Sequence, residues 1–191
     1  DLGDEESKQA SLLATALGRN IDRLFTVSSS DLEEIPGMPL AYWMPKSMRD
    51  IFTEGIAIST LAETKVGQNT GANHLFLRYW HEVSFTRISF DTTDLLATER
   101  DSPCFYPYNK GGSPRKWFGN LEYVINWKND GRDIKSLAVE RNSGKHWSRY
   151  IQNLDSMLKE GLTWSDVTSG KFSVRYLPAG CFSDVSGPTV F

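Results

Sequence analysis

Side chains able to grip a polyanion, or to pair with the edge of a nucleobase, gather in three stretches of this sequence. The first is Val66-Gly67-Gln68-Asn69-Thr70-Gly71-Ala72-Asn73. Two glycines among amides and a hydroxyl make a tight turn that presents Gln68, Asn69, Thr70 and Asn73, and Arg78 follows in the adjoining strand. An Asn or Gln amide matches the adenine edge with two hydrogen bonds, and a Thr can meet a phosphate or a thymine methyl. The same residues equally suit a capped hairpin whose asparagines serve only turn geometry. The second stretch, PYNKGGSPRKWFGN at 107–120, places Asn109, Lys110, Arg115 and Lys116 around two adjacent glycines and next to Trp117 and Phe118. Glycines let backbone approach a phosphate, cations neutralise it, and a ring can stack or wedge. A surface turn with incidental charges is the competing reading. The third combines 161–165 with 169–176, where small hydroxyl residues, including Ser169 next to Gly170, flank Lys171 and Arg175. Those two lie four apart, so on a strand they share a face.

Charge supports the same region. The net charge of -3 conceals an acidic entry of 11 acids against 5 bases over 1–64, followed by 13 acids against 16 bases over 65–191. Within 105–150 nine bases face four acids, an excess of +5 that suits a phosphate backbone or, more plainly, a solvated basic face.

Other chemistry finds little support. His74, His81 and His146 lack paired-ligand spacing, and two cysteines, Cys104 and Cys181, furnish neither a zinc site nor a disulfide framework. Nucleophile-elbow, Walker and dinucleotide glycine motifs are absent from the sequence, as is an acidic pair beside a lysine for a nuclease. We therefore expect no catalytic residue, metal or cofactor site within the segment. With 191 residues, 39% hydrophobic, and six tryptophans, it has the apolar content for a core and too much for intrinsic disorder. No run approaches the ~20 apolar residues that span a bilayer. The absence of an initial Met and of a signal-like start makes us expect a piece of a longer, cytoplasmic chain.

The elements that must position these loops read as follows. Residues 4–25 suggest an amphipathic helix on Leu12, Leu13, Ala16, Leu17, Ile21, Leu24 and Phe25, with acids at its positive end. Ser30 and Glu33 offer a capping box, 39–43 reads as extended, and 45–54 as a short helix closed by Gly55. Strands are expected at 56–61, 75–83, 85–90, 122–127, 172–176 and 181–185. The fold class is thus α+β: helices first, then a mostly antiparallel sheet carrying long polar loops.

GQNTGANHLFLRYWHEV (67–83), PYNKGGSPRKWFGNLEYVINWKNDG (107–131) and EGLTWSDVTSGKFSVRY (160–176) resemble, in this order, the region after the methylase core of PglX-type adenine-specific DNA methyltransferases of BREX phage-exclusion systems, relatives of single-chain type II restriction-modification methylases. IPGMPLAYWMP (35–45) extends the resemblance upstream. The resemblance implies a partial target-recognition domain over 35–191 that reads double-stranded DNA, and the helical pattern before it reads as a connector over 1–34. Its partner domain would bind S-adenosylmethionine and methylate N6 of a flipped adenine. The family's Asn/Asp-Pro-Pro-Tyr/Phe motif and methyl-donor loop are not in this sequence, so catalysis and the cofactor are expected outside it. On this reading Lys110, Arg115, Lys116 and Lys171 neutralise phosphate, and Gln68, Asn73, Asn109 and Arg175 contact base edges. The alternative is a protein-interaction module in which the acidic helix docks on the catalytic domain or on another defence-system subunit.

Overall fold

The computed structural model describes residues 4–19, 22, 24–99, 101–168 and 171–191. They form two compact units, Asp1–Thr60 and Leu61–Phe191.

The first unit is helical. Asp4 caps α1 (Glu5–Ala16) by accepting from the Ser7 N–H at 2.8 Å. The helix is shorter than the expected 4–25. It ends as the Arg19 N–H turns back to the Ala14 carbonyl at 2.8 Å, and Leu24 and Phe25 lie outside it. Ile21 lies outside the described residues, and no described residue of α1 is buried. The capping box falls on Ser28 and Asp31, not on Ser30 and Glu33. The Ser28 hydroxyl accepts from the Asp31 N–H while the Asp31 carboxylate returns to the Ser28 N–H, opening α2 (Ser29–Glu33). The shorter Asp reaches back across one turn as Glu does in the usual version. Pro45 precedes α3 (Lys46–Glu54), which Gly55 terminates as expected. Arg49, buried on α3, pairs with Asp31 at 3.3 Å and Glu34 at 3.4 Å and donates to the Met44 carbonyl, tying α2 to α3.

The second unit holds two four-stranded sheets, as the α+β reading requires. One, in the order β1-β8-β5-β6, is antiparallel throughout: β1 (Thr64–Lys65), β5 (Gly161–Thr163), β6 (Arg175–Leu177) and β8 (Thr189–Val190). The other runs β2-β4-β3-β7: β2 (Leu77–Tyr79), β3 (Phe105–Asn109), β4 (Tyr123–Asn126) and β7 (Phe182–Ser183), with only the β3–β7 pair parallel. The main core packs Tyr106, Tyr108, Ile125 and Phe182 of this sheet, with Trp127 just past β4, against Ile134 and Ala138 of α5 (Lys128–Arg141) and against Ile151 and Leu158.

Several expected strands resolve differently. Residues 56–61 contain a 3-10 turn at Ile58–Thr60, and 75–83 splits into α4 (Asn73–Phe76), β2 and a further 3-10 turn. Residues 85–90 keep only a single bridge, Ile88 to Phe105. β4 matches 122–127 closely, β6 overlaps only the end of 172–176 and runs one residue beyond it, and β7 is a two-residue strand inside 181–185.

β3 was not expected, because Pro107 demotes a strand. The structure accommodates the proline through alternation. Odd-numbered residues of β3 turn their backbone groups away from β4, so Phe105 accepts from the Ser89 N–H at 2.9 Å and Asn109 from the Asp184 N–H at 2.8 Å. Pro107 sits between these two, opposite neither Ile88 nor β7, whose pairing starts at Tyr108. Its missing N–H costs no ladder bond there.

Candidate nucleic-acid interface

The second loop is the element the fold positions most firmly. It leaves β3, crosses to the other sheet and returns to β4. Its leading end is held by the 184–187 turn, which itself connects β7 of one sheet to β8 of the other. Ser186 donates to the Lys110 carbonyl at 2.8 Å. The Ser186 carbonyl comes so close to Gly111 that a Cβ there would lie 2.2 Å from it, at a backbone φ of +74° that itself favours glycine. Farther along, Trp117 pairs with the open edge of β6: its N–H donates to Val174 at 3.1 Å and its carbonyl accepts from Tyr176 at 2.9 Å. The Asn120 amide closes the loop on the Ser113 carbonyl at 3.0 Å.

Beneath the loop lies a cleft of about 460 Å³ lined by Lys110, Gly111, Gly112, Ser113, Arg115, Asn120, Glu122, Tyr123, Val167 and Ser186. Its electrostatics rest on a few groups. Arg115 pairs with Glu122 at 2.9 Å, both exposed. Asp184, buried at one end, accepts from the Tyr108 hydroxyl at 2.8 Å, from Lys110 at 3.4 Å, and from the Ser186 N–H and hydroxyl. Burial, reinforced by the Asp184 charge, raises the Tyr108 phenol well above its ordinary range. Behind Gly112, Ser165 donates to the Gly112 carbonyl at 2.7 Å and accepts from Arg175 at 3.4 Å. Arg175 is fully buried, with Nε and one terminal nitrogen unpartnered, and forms no salt bridge among the described residues. Burial, then the nearby Arg115 charge, lowers its pKa, yet a guanidinium remains charged at neutral pH.

The eleven candidates separate accordingly. Lys110 and Arg115 share the cleft, and Lys116 follows on the exposed loop with no ion pair among the described residues. Asn109 does not present its amide: it is buried at the end of β3 and donates to the Thr163 hydroxyl at 2.8 Å and the Gly187 carbonyl at 3.3 Å. Gln68 is likewise buried with its amide unpartnered, while its backbone accepts from the Tyr108 hydroxyl and from the Val185 N–H. Arg175 and Lys171 do not share a strand face, since 171–174 is not strand; Lys171 is exposed and Arg175 buried. For Gln68, Asn109 and Arg175 the expectation of base-edge contact therefore gives way to a supporting role, because none reaches the surface. Ser169 and Gly170 of the third loop lie outside the described residues.

The first loop stands apart from the cleft. Asn69 donates its N–H to the Tyr150 carbonyl at 2.7 Å and accepts from the Gly71 N–H at 2.8 Å, and the Gly71 carbonyl is held by Arg141. Thr70 is buried and donates to the Asn73 side chain at 2.5 Å. This is the turn-forming use of the asparagines, and it leaves the exposed Asn69 and Asn73 as the amides that face solvent. Arg78 is exposed on β2 and folds back onto the His74 and Leu77 carbonyls at 2.9 and 2.6 Å.

The sequence reading missed Asp184, Ser186, Asn120 and Glu122. Only Asp184 and Ser186 carried a signal, as an Asp-x-Ser-Gly turn. Among the described residues no three His, Cys, Asp or Glu side chains come together as a metal site, and no helix is long and apolar enough to cross a membrane.

No protein-family profile matches the chain. Curated proteins do. The adenine-specific methyltransferase PglX of Lacticaseibacillus casei (strain Zhang) is 38% identical over the whole of this chain, which spans 16% of its length. The adenine-specific methyltransferase BrxX of Escherichia coli O9:H4 (strain HS) is 36% identical over 85% of this chain and 12% of its own length. The chain is a homologue of PglX and BrxX adenine-specific methyltransferases along a stretch that makes up less than one fifth of either.

Proposed function

We propose that this chain is the DNA-reading part of an S-adenosylmethionine-dependent adenine-N6 DNA methyltransferase that serves restriction-modification or phage defence in the cytoplasm. The observation that carries the reading is the glycine-loop cleft, where Lys110 and Arg115 lie in front of a buried arginine without a counter-charge. Lys110 and Arg115 are each paired with one acid, so the guanidinium of Arg175, uncompensated among the described residues, leaves one net positive charge beside close-approach backbone, which favours a phosphate. Kinship with adenine-specific methyltransferases supplies the reason for that phosphate to belong to DNA. Phosphate contacts fix register, while exposed amides such as Asn69 and Asn73 are available to base edges. The cleft does not suit the methyl donor itself: Lys110, Arg115 and Arg175 oppose a sulfonium, and we derive no methyl-transfer step from these residues.

The test is fluorescence anisotropy of labelled duplexes between 50 and 200 mM salt. Binding that weakens steeply with salt is expected, and Lys116→Ala lowers the log–log slope by about one while acting equally on all sequences. Selection from a randomised duplex pool should enrich one sequence. Absence of duplex binding removes the reading, and a pool that stays random removes its sequence-specific part. The alternative, a protein-interaction module, is favoured by exposed Leu12 and Leu13 on α1, Leu17 just after it, and Met48, Ile51 and Phe52 on α3. Light scattering of the chain mixed with the remainder of a PglX-type enzyme tests it, with a complex retained after Leu13→Glu and Ile51→Glu counting against these faces.

A further inference from the structure

Trp117 is held in a conformation that nothing inside the fold rewards. Its φ is +74°, a region that costs a bulky L-residue free energy and that glycine adopts freely. Residues in sparsely populated backbone regions persist only where surrounding structure imposes them, and they concentrate at sites of function. Here the imposing structure is visible: hydrogen bonds on both sides of Trp117 to β6, with Gly119 and Asn120 also at positive φ as the chain turns back. The usual return on such strain would be packing of the ring, yet Trp117 is 77% exposed and Phe118 59%. The two rings stand beside Arg115 and Lys116, on the same loop that roofs the cationic cleft.

Resting on the reading that this chain binds DNA, we propose that Trp117 stacks on the face of a DNA base. Neighbouring cations take the flanking phosphates, and the fixed backbone lets the indole reach the base without first being ordered. An exposed aromatic among cations is the pairing that stacking on nucleic acid requires, because every base has a π face and every linkage a charge. The neighbouring Gly119 and Asn120 take their positive φ with residue types that adopt it at least cost, which Trp117 is not.

The experiment uses the chain as it stands, with anisotropy on an intact duplex and on the same duplex carrying one abasic site, which uncovers base faces. Trp117→Ala is expected to weaken binding about tenfold or more while leaving the salt slope unchanged, since stacking energy is lost but no charge. Trp117→Phe retains most of the affinity. Wild type gains affinity on the abasic duplex, and Trp117→Ala does not. Trp117→Gly loses binding as Trp117→Ala does, yet raises the thermal midpoint by about 2–4 °C because the backbone strain is relieved. Wild-type affinity in Trp117→Ala, or an equal abasic gain in both proteins, overturns the stacking while leaving DNA binding intact. If the wild type binds no duplex at all, the underlying DNA reading falls, and the stacking with it.

Discussion

Asp184 accepts four hydrogen bonds from Tyr108, Lys110 and Ser186 while remaining buried, so it is the residue on which the glycine loop rests. Tyr108→Phe removes the one neutral donor that is itself in the core, and should cost about 1–3 kcal/mol in urea unfolding, the usual effect of leaving a buried acceptor short of a donor. Two buried acids also make stability fall at alkaline pH. Burial pushes the Cys181 thiol from about 9 up to about 12, and Tyr108 rises above 10. Between pH 9 and 12 the unfolded chain releases the thiol proton while the folded chain keeps it. The folded state then binds more protons, so stability is full below pH 9 and falls as pH rises through that window, by at most about 1.4 kcal/mol per pH unit for one group. Unfolding free energies measured from pH 8 to 10 should decline less steeply in Cys181→Ala, and an unchanged slope removes Cys181 as a cause. At this scale the sequence was only partly legible. Residue type identified Lys110, Arg115 and Lys116 as cations on a glycine loop, but side-chain direction decides exposure. Gln68, Asn109 and Arg175 looked like readers because nothing in their spacing reveals that each faces inward.

Among the elements, α5 shows how turn residues can hide a helix. Asn129, Asp130 and Gly131 all adopt positive φ, so the sequence there reads as a turn, and right-handed helix follows only from Arg132. Ile134, Leu137, Ala138 and Arg141 carry the three- and four-residue spacing that marks the helix. Gly131 is fixed twice over: its φ is +64°, and a Cβ would sit 2.8 Å from the Trp127 ring. Gly131→Ala should therefore cost about 2–4 kcal/mol through backbone strain and overpacking. Gly144→Ala, at φ +80° but with open space around it, should cost about 1–2 kcal/mol. Equal midpoints for the two variants in urea would show that the Trp127 contact contributes nothing. β3 is hidden from the sequence for a comparable reason, since a proline that normally marks an edge lies here in a central strand, opposite Val124 of β4 and between the Ile88 bridge and the start of the β7 pairing. By contrast β4 and α3 were legible, because an apolar run free of Gly and Pro and a Pro-to-Gly bracketed helix need no tertiary information.

The molecule as a whole divides between Thr60 and Leu61, and charge divides with it. Residues 1–60 hold ten acids against five bases, and 61–191 hold fourteen acids against sixteen bases. The second unit contains both sheets and the main core. Residues 61–191 alone should therefore unfold cooperatively and bind duplex DNA at least as tightly as the full chain, because the segment removed carries a net -5 that repels phosphate. Calorimetry and anisotropy check both parts. Non-cooperative melting would show that the second unit needs the first, and weakened binding would place part of the grip in the acidic helices.

The loop that spans the two sheets has a further consequence. Its fixed points are the Lys110 and Gly111 backbone on Ser186, the Trp117 backbone on β6, and Asn120 on Ser113. Residues 113–116 between them all face solvent. Changes in the Ser113, Pro114 and Lys116 side chains thus leave these backbone anchors untouched, whereas Arg115 is tied to Glu122, so the loop is a socket with a largely interchangeable insert. On the DNA-binding reading proposed above, the exposed side chains of this insert can be exchanged one at a time while the loop keeps its backbone anchors.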